Sequence, residues 1–253
     1  MAEVFEVAEP TAPLRQAPSP DAPLDTEALK GERVIVYETE EGWARGKLEA
    51  DGYEGFLPAS ALREPGAPAT HKVAALRTLV FPGPSIKLPP LEALPLGARL
   101  AVTRVEPPFA VTPAGGYVPA RHLASLDETE GDFVAVAERF IGAPYLWGGK
   151  TSLGLDCSGL VQVALNACGI PCPRDSYMQE QALGRALAPN AQLRRGDFLF
   201  WHRHVAIVRD EASLVHANAF HMAVAFEPIA AAIARIRALG SEVTSMRRLD
   251  LPA

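Results

Sequence analysis

Asp156-Cys157-Ser158-Gly159-Leu160-Val161 is where a polar, glycine-rich loop, residues 148–156, turns into a helix. Leu160, Val161, Ala164 and Leu165 recur at the spacing of one helical face, and Gly169 and Pro171 stop the run, so a helix is expected over 156–167. Cys157 begins it. Unsatisfied N–H groups and the positive dipole end at a helix N-terminus stabilise a thiolate, which predicts a lowered pKa and a nucleophile at neutral pH. The competing reading is a buried packing cysteine, and it suits Cys168 and Cys172. These three are the only cysteines, within sixteen residues, and their odd number excludes a disulfide framework.

A thiol nucleophile needs a base, and His202, His204, His216 and His221 follow in the chain. Residues 198–208 and 214–226 are rich in strand formers, the first run broken at His202-Arg203. If the two runs pair as a hairpin turning near Asp210-Glu211, positions whose numbers sum to about 420 face one another. His204 and His216 meet that condition. One could then orient the other as a base. A slip of one residue would instead put them on opposite faces as two unrelated polar groups. No metal is expected: Cys168-Gly169-Ile170-Pro171-Cys172 lacks a second ligand pair, and His202-Arg203-His204 on a strand is not a closed zinc set. No phosphate-cradling glycine loop or dinucleotide fingerprint is present, so no cofactor is expected either.

Upstream, Phe133, Val136, Ala137, Phe140 and Ile141 predict a helix ended by Gly142-Ala143-Pro144. Helices followed by strands imply an α+β domain with a helix on an antiparallel sheet. Before residue 131 the composition changes, with 17 of the 23 prolines, and a proline-dense half is built of short strands and turns. It also repeats. Gly31-Glu32-Arg33-Val34-Ile35-Val36 and Gly55-Phe56-Leu57-Pro58 correspond to Gly97-Ala98-Arg99-Leu100-Ala101-Val102 and Gly116-Tyr117-Val118-Pro119. Two small β-barrels are expected, joined by a linker at Glu64-Pro65-Gly66-Ala67-Pro68. The domains are thus expected at 1–66, 72–126 and 130–253.

Of the 253 residues, 48% are hydrophobic and 21% charged, which excludes wholesale disorder. A net charge of −6 gives no electrostatic footprint for nucleic acid or anionic lipid. No apolar run approaches the roughly 18 residues of a membrane span. The opening residues, Met1-Ala2-Glu3-Val4-Phe5-Glu6, are acidic where an export signal would be basic and then apolar, so a cytoplasmic location is expected.

Six blocks carry a family resemblance: Tyr145-Leu146-Trp147-Gly148-Gly149, Asp156 to Val161, Arg174-Asp175-Ser176, Arg195-Gly196-Asp197-Phe198-Leu199-Phe200-Trp201, His204-Val205-Ala206-Ile207-Val208 and Val215-His216-Ala217. In order and spacing they resemble the NlpC/P60 family of papain-like cysteine peptidases. The glycine-led strand, Gly42-Trp43 and the closing Gly-aromatic-aliphatic-Pro of the first half resemble bacterial SH3-like domains. The combination is similar to the γ-D-glutamyl-L-diamino acid endopeptidases of peptidoglycan turnover, which cut muropeptides with a free N-terminal L-Ala. The resemblance implies Cys157 as nucleophile, His204 as base with His202 as the alternative, and His216 as orienting residue. It implies a substrate pocket lined by Asp156, Tyr145, Trp147, Ser158, Asp175 and Ser176. Asp156 would pair with the substrate's ammonium. Tyr53 of the first SH3-like module, with Glu27 or Asp21, would close one end of that pocket. Two other readings of the same residues are a wall-peptide binding protein with an inactive third domain and a papain-like amidase or acyltransferase.

Overall fold

The computed structural model describes residues 2–250, so positions 1 and 251–253 of the expected first and third domains lie outside it. The chain divides into two units, Met1–Thr129 and Glu130–Ala253.

The first unit is strand-rich. Seven antiparallel strands form one sheet, in the order Leu24–Leu29, Thr11–Arg15, Glu54–Pro58, Trp43–Leu48, Arg33–Glu40, Glu3–Val7 and Leu62–Arg63. Val7, Leu14, Val34, Leu48 and Leu57 fill its core. Residues 71–125 form three smaller sheets around Val73, Val80, Leu94, Leu100 and Val118. The sequence repeat is a repeat of conformation: Pro58 (φ −56°, ψ 123°) and Pro119 (φ −53°, ψ 116°) each end a strand and launch a 3-10 turn, Ala59–Ala61 and Ala120–His122. Strands of the second copy are only two to four residues long. Pro95, Pro107, Pro108 and Pro113 withdraw backbone donors there.

Gly31 joins the two copies. Its φ is +79°, and a Cβ at this position would run into the Arg99 carbonyl. Beside it the Arg99 N–H donates to Lys30 O (2.8 Å) and Lys30 Nζ donates to Glu92 Oε2 (2.8 Å). Gly31→Ala should therefore cost about 1–2 kcal/mol for the left-handed conformation alone, with a further loss from the displaced Arg99. Scanning calorimetry should show a Tm lowered by several degrees; an unchanged Tm would contradict the close approach.

In the second unit Asp132 caps helix α1, Phe133–Glu138, by accepting from Val134 N and Ala135 N. The sequence pattern carries the helix on to Ile141, but α1 ends at Glu138. Residues 139–141 tighten into i→i+3 turns, and Ile141 is 42% exposed. Gly142 (φ +84°) and Pro144 forbid continuation. Helix α2, Cys157–Ala167, is capped by Asp156 and buried on all sides from Cys157 to Leu165; Leu160, Val161, Ala164 and Leu165 point inward as expected. Helix α3 is Ser176–Ala182 and helix α4 is Ile229–Ala238.

One antiparallel six-stranded sheet carries these helices. Its order is Arg185–Ala186, Val243–Arg248, Asp197–Trp201, His204–Val208, Ser213–Asn218 and Ala223–Pro228. The run 214–226, expected as one strand, is itself a hairpin turning at 219–222, where Met222 has φ +50°. Helix α4 packs over Leu199, Trp201, Ala206, Val208 and Leu214. Phe133 of α1 stacks on Phe198 (5.6 Å between centroids), on the opposite face of that strand.

Candidate active site

The first turn of α2 is held from three directions by Asp156. Its Oδ1 accepts from Gly159 N (2.7 Å), Ser158 Oγ (3.2 Å) and Arg174 Nη1 (2.9 Å), and its Oδ2 from Gly148 N (2.8 Å) and Arg174 Nη2 (2.8 Å). Arg174 and Asp156 are both buried. Gly148 reaches the carboxylate through a positive φ, +76°. Gly159 lets the loop close on the helix, since a Cβ there would meet the Gly149 carbonyl. Gln179 of α3 donates to Ser158 O and Pro173 O, each at 2.9 Å, and so ties α3 to α2. Sequence reasoning missed Gln179.

This frame sets Cys157 against the hairpin. Its Sγ donates to Arg203 O at 4.0 Å, and the Val205 N–H favours its charged form, so the thiol faces the backbone around His204. The strand His204–Val208 pairs Ile207 with Val215 and Val208 with Leu214, so opposed positions sum to 422. The two-residue difference from the expected sum preserves the face and makes His204 and His216 diagonal neighbours. His204 Nε2 and His216 Nδ1 are 3.0 Å apart. Beyond them His216 Nε2 lies 3.0 Å from Glu227 Oε2, and Arg235 of α4 holds Glu227 through Nε–Oε1 (2.9 Å) and Nη2–Oε2 (2.7 Å). His202 sits exposed on the two-residue turn, outside this chain of contacts.

The electrostatics correct one expectation. The Cys157 thiol is not acidified: burial, then the Asp156 carboxylate, push it up to about 12, against the N–H groups of Val205 and Ser158 and the charge of Arg174. Burial, then the neighbouring His216 and Arg235, lower His204 to about 3. Burial likewise takes His216 down to about 4 against the pull of Glu227. Thiol and both imidazoles are therefore neutral at pH 7. An ionised Glu227 can only accept, so His216 carries its proton on Nε2 and donates it to the carboxylate, which leaves His216 Nδ1 as acceptor. His204 must then donate from Nε2, which leaves its Nδ1 bare. Such a set can pass the sulfur's proton to an imidazole as the sulfur attacks an electrophile.

Comparison with known proteins agrees with this chemistry. Residues 142–240 match the NlpC/P60 family model, and residues 14–62 match the bacterial dipeptidyl-peptidase Sh3 domain model. Residues 142–240 are an NlpC/P60 domain. It is a cysteine-peptidase domain, of the hydrolase class. The chain is 24% identical over 238 residues to the gamma-D-glutamyl-L-lysine dipeptidyl-peptidase of Bacillus cereus, covering 81% of this chain and 71% of that one. It is 28% identical over 199 residues to the protein of the same name from Bacillus subtilis, covering 72% and 65%. An NlpC/P60 family protein from Bacillus cereus, of known structure, superposes with a TM-score of 0.83 at 20% identity over 99% of this chain and all of that one, a likeness of fold.

Within the NlpC/P60 domain the expected pocket residues separate into two groups. Asp156 and Ser158 are buried and committed to Arg174 and the helix cap, so no substrate ammonium is needed to explain a carboxylate beside the sulfur. Tyr145 is half-buried, and burial with the nearby Cys157 and Asp156 raises its hydroxyl pKa, which keeps it a neutral donor. Trp147 is 56% exposed and is no core residue. Asp175 and Ser176 begin α3, half-buried, with no capping bond from Asp175. Tyr53 lies in the first unit, packed against the core there; Glu27 is half-buried on a strand of that unit and Asp21 is exposed. Cys172 is buried, its Sγ donating to Pro173 O at 3.4 Å. His216, His221 and Glu227 bring ligand-type atoms within 4.8 Å of one another, but Arg235 occupies the carboxylate and Asn218 Oδ1 the His221 Nδ1 (3.0 Å). Among the described residues no helix is long and apolar enough to cross a membrane.

Proposed function

We propose that the protein is a cysteine endopeptidase that hydrolyses the γ-D-glutamyl bond to a diamino acid in peptidoglycan-derived peptides with a free N-terminal L-Ala. Two small SH3-like barrels precede the catalytic domain. The observation that carries this reading is the thiol set against the backbone at Arg203, next to His204 in the chain, with His204, His216 and Glu227 in one hydrogen-bonded line. The names of the Bacillus relatives supply the bond.

Cys157 attacks the γ-glutamyl carbonyl while its proton passes to His204 Nδ1. The carbonyl oxygen becomes an oxyanion held by the N–H at the start of α2 and the Tyr145 hydroxyl. His204 returns the proton to the leaving amine of the diamino acid, which departs. Water, deprotonated by His204, then cleaves the thioester and restores the thiol. No step needs a cofactor.

Asp156 beside the sulfur and Asp175 at the start of α3 place two carboxylates next to Arg174, and the substrate's ammonium is assigned to this acidic pair. A requirement for that free amine suits recycling of released peptides better than attack on intact wall, where L-Ala is amide-linked. A hydrogen-bonded charge pair shut from water is worth about 2–5 kcal/mol. N-acetylation of the tripeptide L-Ala-γ-D-Glu-diaminopimelate should thus lower kcat/KM by roughly thirty- to five-thousand-fold. Equal cleavage of free and acetylated peptide would overturn the amine requirement.

A further inference from the structure

We propose that Glu227 and Arg235 are positioning residues that set the protons of the His204–His216 relay: Glu227 holds the His216 proton on Nε2, and Arg235 keeps His216 from becoming a cation. The proposal rests on Cys157 and His204 being the reacting pair.

Four groups face His216. They are His204 from the strand His204–Val208, Glu227 from the strand Ala223–Pro228, Arg235 from α4, and His221 from the turn 219–222. Glu227 is buried, and a lone buried carboxylate next to an imidazole would draw a second proton onto that ring. Arg235 prevents this in two ways. Its two hydrogen bonds occupy both carboxylate oxygens, and its charge offsets part of the pull of Glu227 on the ring, adding to the effect of burial. Burial opposes ionisation of Glu227, yet the Arg235 contacts hold its carboxyl below the usual range. Arg235 is itself fixed, with its guanidinium 4.5 Å over the Phe220 ring.

The consequence for the base is a matter of donors and acceptors. With His216 neutral and its proton on Nε2, Nδ1 accepts from His204 and the thiol meets a bare His204 Nδ1. With His216 doubly protonated, its Nδ1–H must donate. His204 Nε2 then accepts, the His204 proton moves to Nδ1, and the base is lost. Arg235→Met leaves Glu227 uncompensated, so His216 becomes a cation at higher pH and the acid limb of reactivity moves up. Arg235→Lys keeps the charge and should keep the limb. Glu227→Gln acts differently, because an amide can turn its N–H toward His216 Nε2 and stabilise the unproductive tautomer at every pH.

The test uses the full chain and two readouts. The first is the rate of Cys157 alkylation by iodoacetamide from pH 4 to 9, followed by mass spectrometry, which needs the thiol and its base but no peptide substrate. The second is kcat and KM on L-Ala-γ-D-Glu-diaminopimelate. Expected are an alkylation midpoint raised by at least about one pH unit in Arg235→Met, a wild-type midpoint in Arg235→Lys, and a rate lowered about tenfold or more at all pH in Glu227→Gln. On the peptide, Glu227→Gln should lower kcat and leave KM unchanged. A purely structural pair would lower Tm without moving the midpoint. The alkylation pattern supports the relay whether or not the tripeptide is cleaved. Wild-type midpoints in both Arg235 variants, or a wild-type rate in Glu227→Gln, would overturn the proposal. If Arg235→Met does not fold, the near-isosteric Glu227→Gln is decisive by itself.

Discussion

Cys157→Ala and His204→Ala should each abolish peptide cleavage, by roughly four to six decades in kcat/KM, because removing any member of a set that acts as a unit removes most of what the set does. The loss should come with an unchanged circular dichroism spectrum. Cys157 adds no packing that Ala cannot approximate, and His204 is half-buried at the start of its strand. His216→Asn should retain a measurable part of the activity. Its carbonyl can still accept from His204 Nε2 and its amide can still donate to Glu227. His202→Ala should be silent, since the ring lies exposed on the turn. Steady-state rates on the free tripeptide check all four variants. An active Cys157→Ala enzyme, or a His202→Ala variant as damaged as His204→Ala, would refute the assignments.

Arg174→Ala should unfold the second unit more readily than any of these. Arg174 is 1% exposed, and its loss leaves the Asp156 carboxylate buried with no counter-charge beside the sulfur. Breaking a buried pair from one side costs about 3–5 kcal/mol. Asp156→Asn should fall in the same range, because it strands the guanidinium and weakens the cap of α2. Arg174→Lys keeps the charge but not the two parallel bonds and should lie between. Urea titration followed by Trp147 and Trp201 fluorescence gives the values. A loss below about 1 kcal/mol for Arg174→Ala, the ordinary worth of an exposed pair, would contradict the buried arrangement.

This pair also marks where the sequence could and could not be read. The spacing of Leu160, Val161, Ala164 and Leu165 located α2, because a helix buried on all sides repeats its apolar positions plainly. The face shared by His204 and His216 was legible because strand period survives an error of two residues in register and fails only at one. What spacing could not say was which polar residue of a motif does chemistry and which holds the frame. Asp156 and Ser158 are expected as substrate contacts, and the structure adds a part that spacing could not show: both bond to Arg174, which arrives from eighteen and sixteen residues away in the chain and which only the folded loop brings in. The lowered thiol pKa expected at a helix N-terminus was overturned for a related reason: local dipoles are visible in sequence, whereas burial is a property of everything packed around. Glu227 left a faint signal, a lone acid closing the run Ala223-Val224-Ala225-Phe226 at the parity that faces His216. Arg235 left none, since its role depends on α4 crossing that face of the sheet.

The most direct measurement is the identity of the products. Wild-type protein incubated with L-Ala-γ-D-Glu-diaminopimelate should release L-Ala-D-Glu and free diaminopimelate, resolved by mass spectrometry, while Cys157→Ala protein releases neither. Release of L-Ala alone, cleavage at any other bond, or equal product from the Cys157→Ala protein would contradict the account.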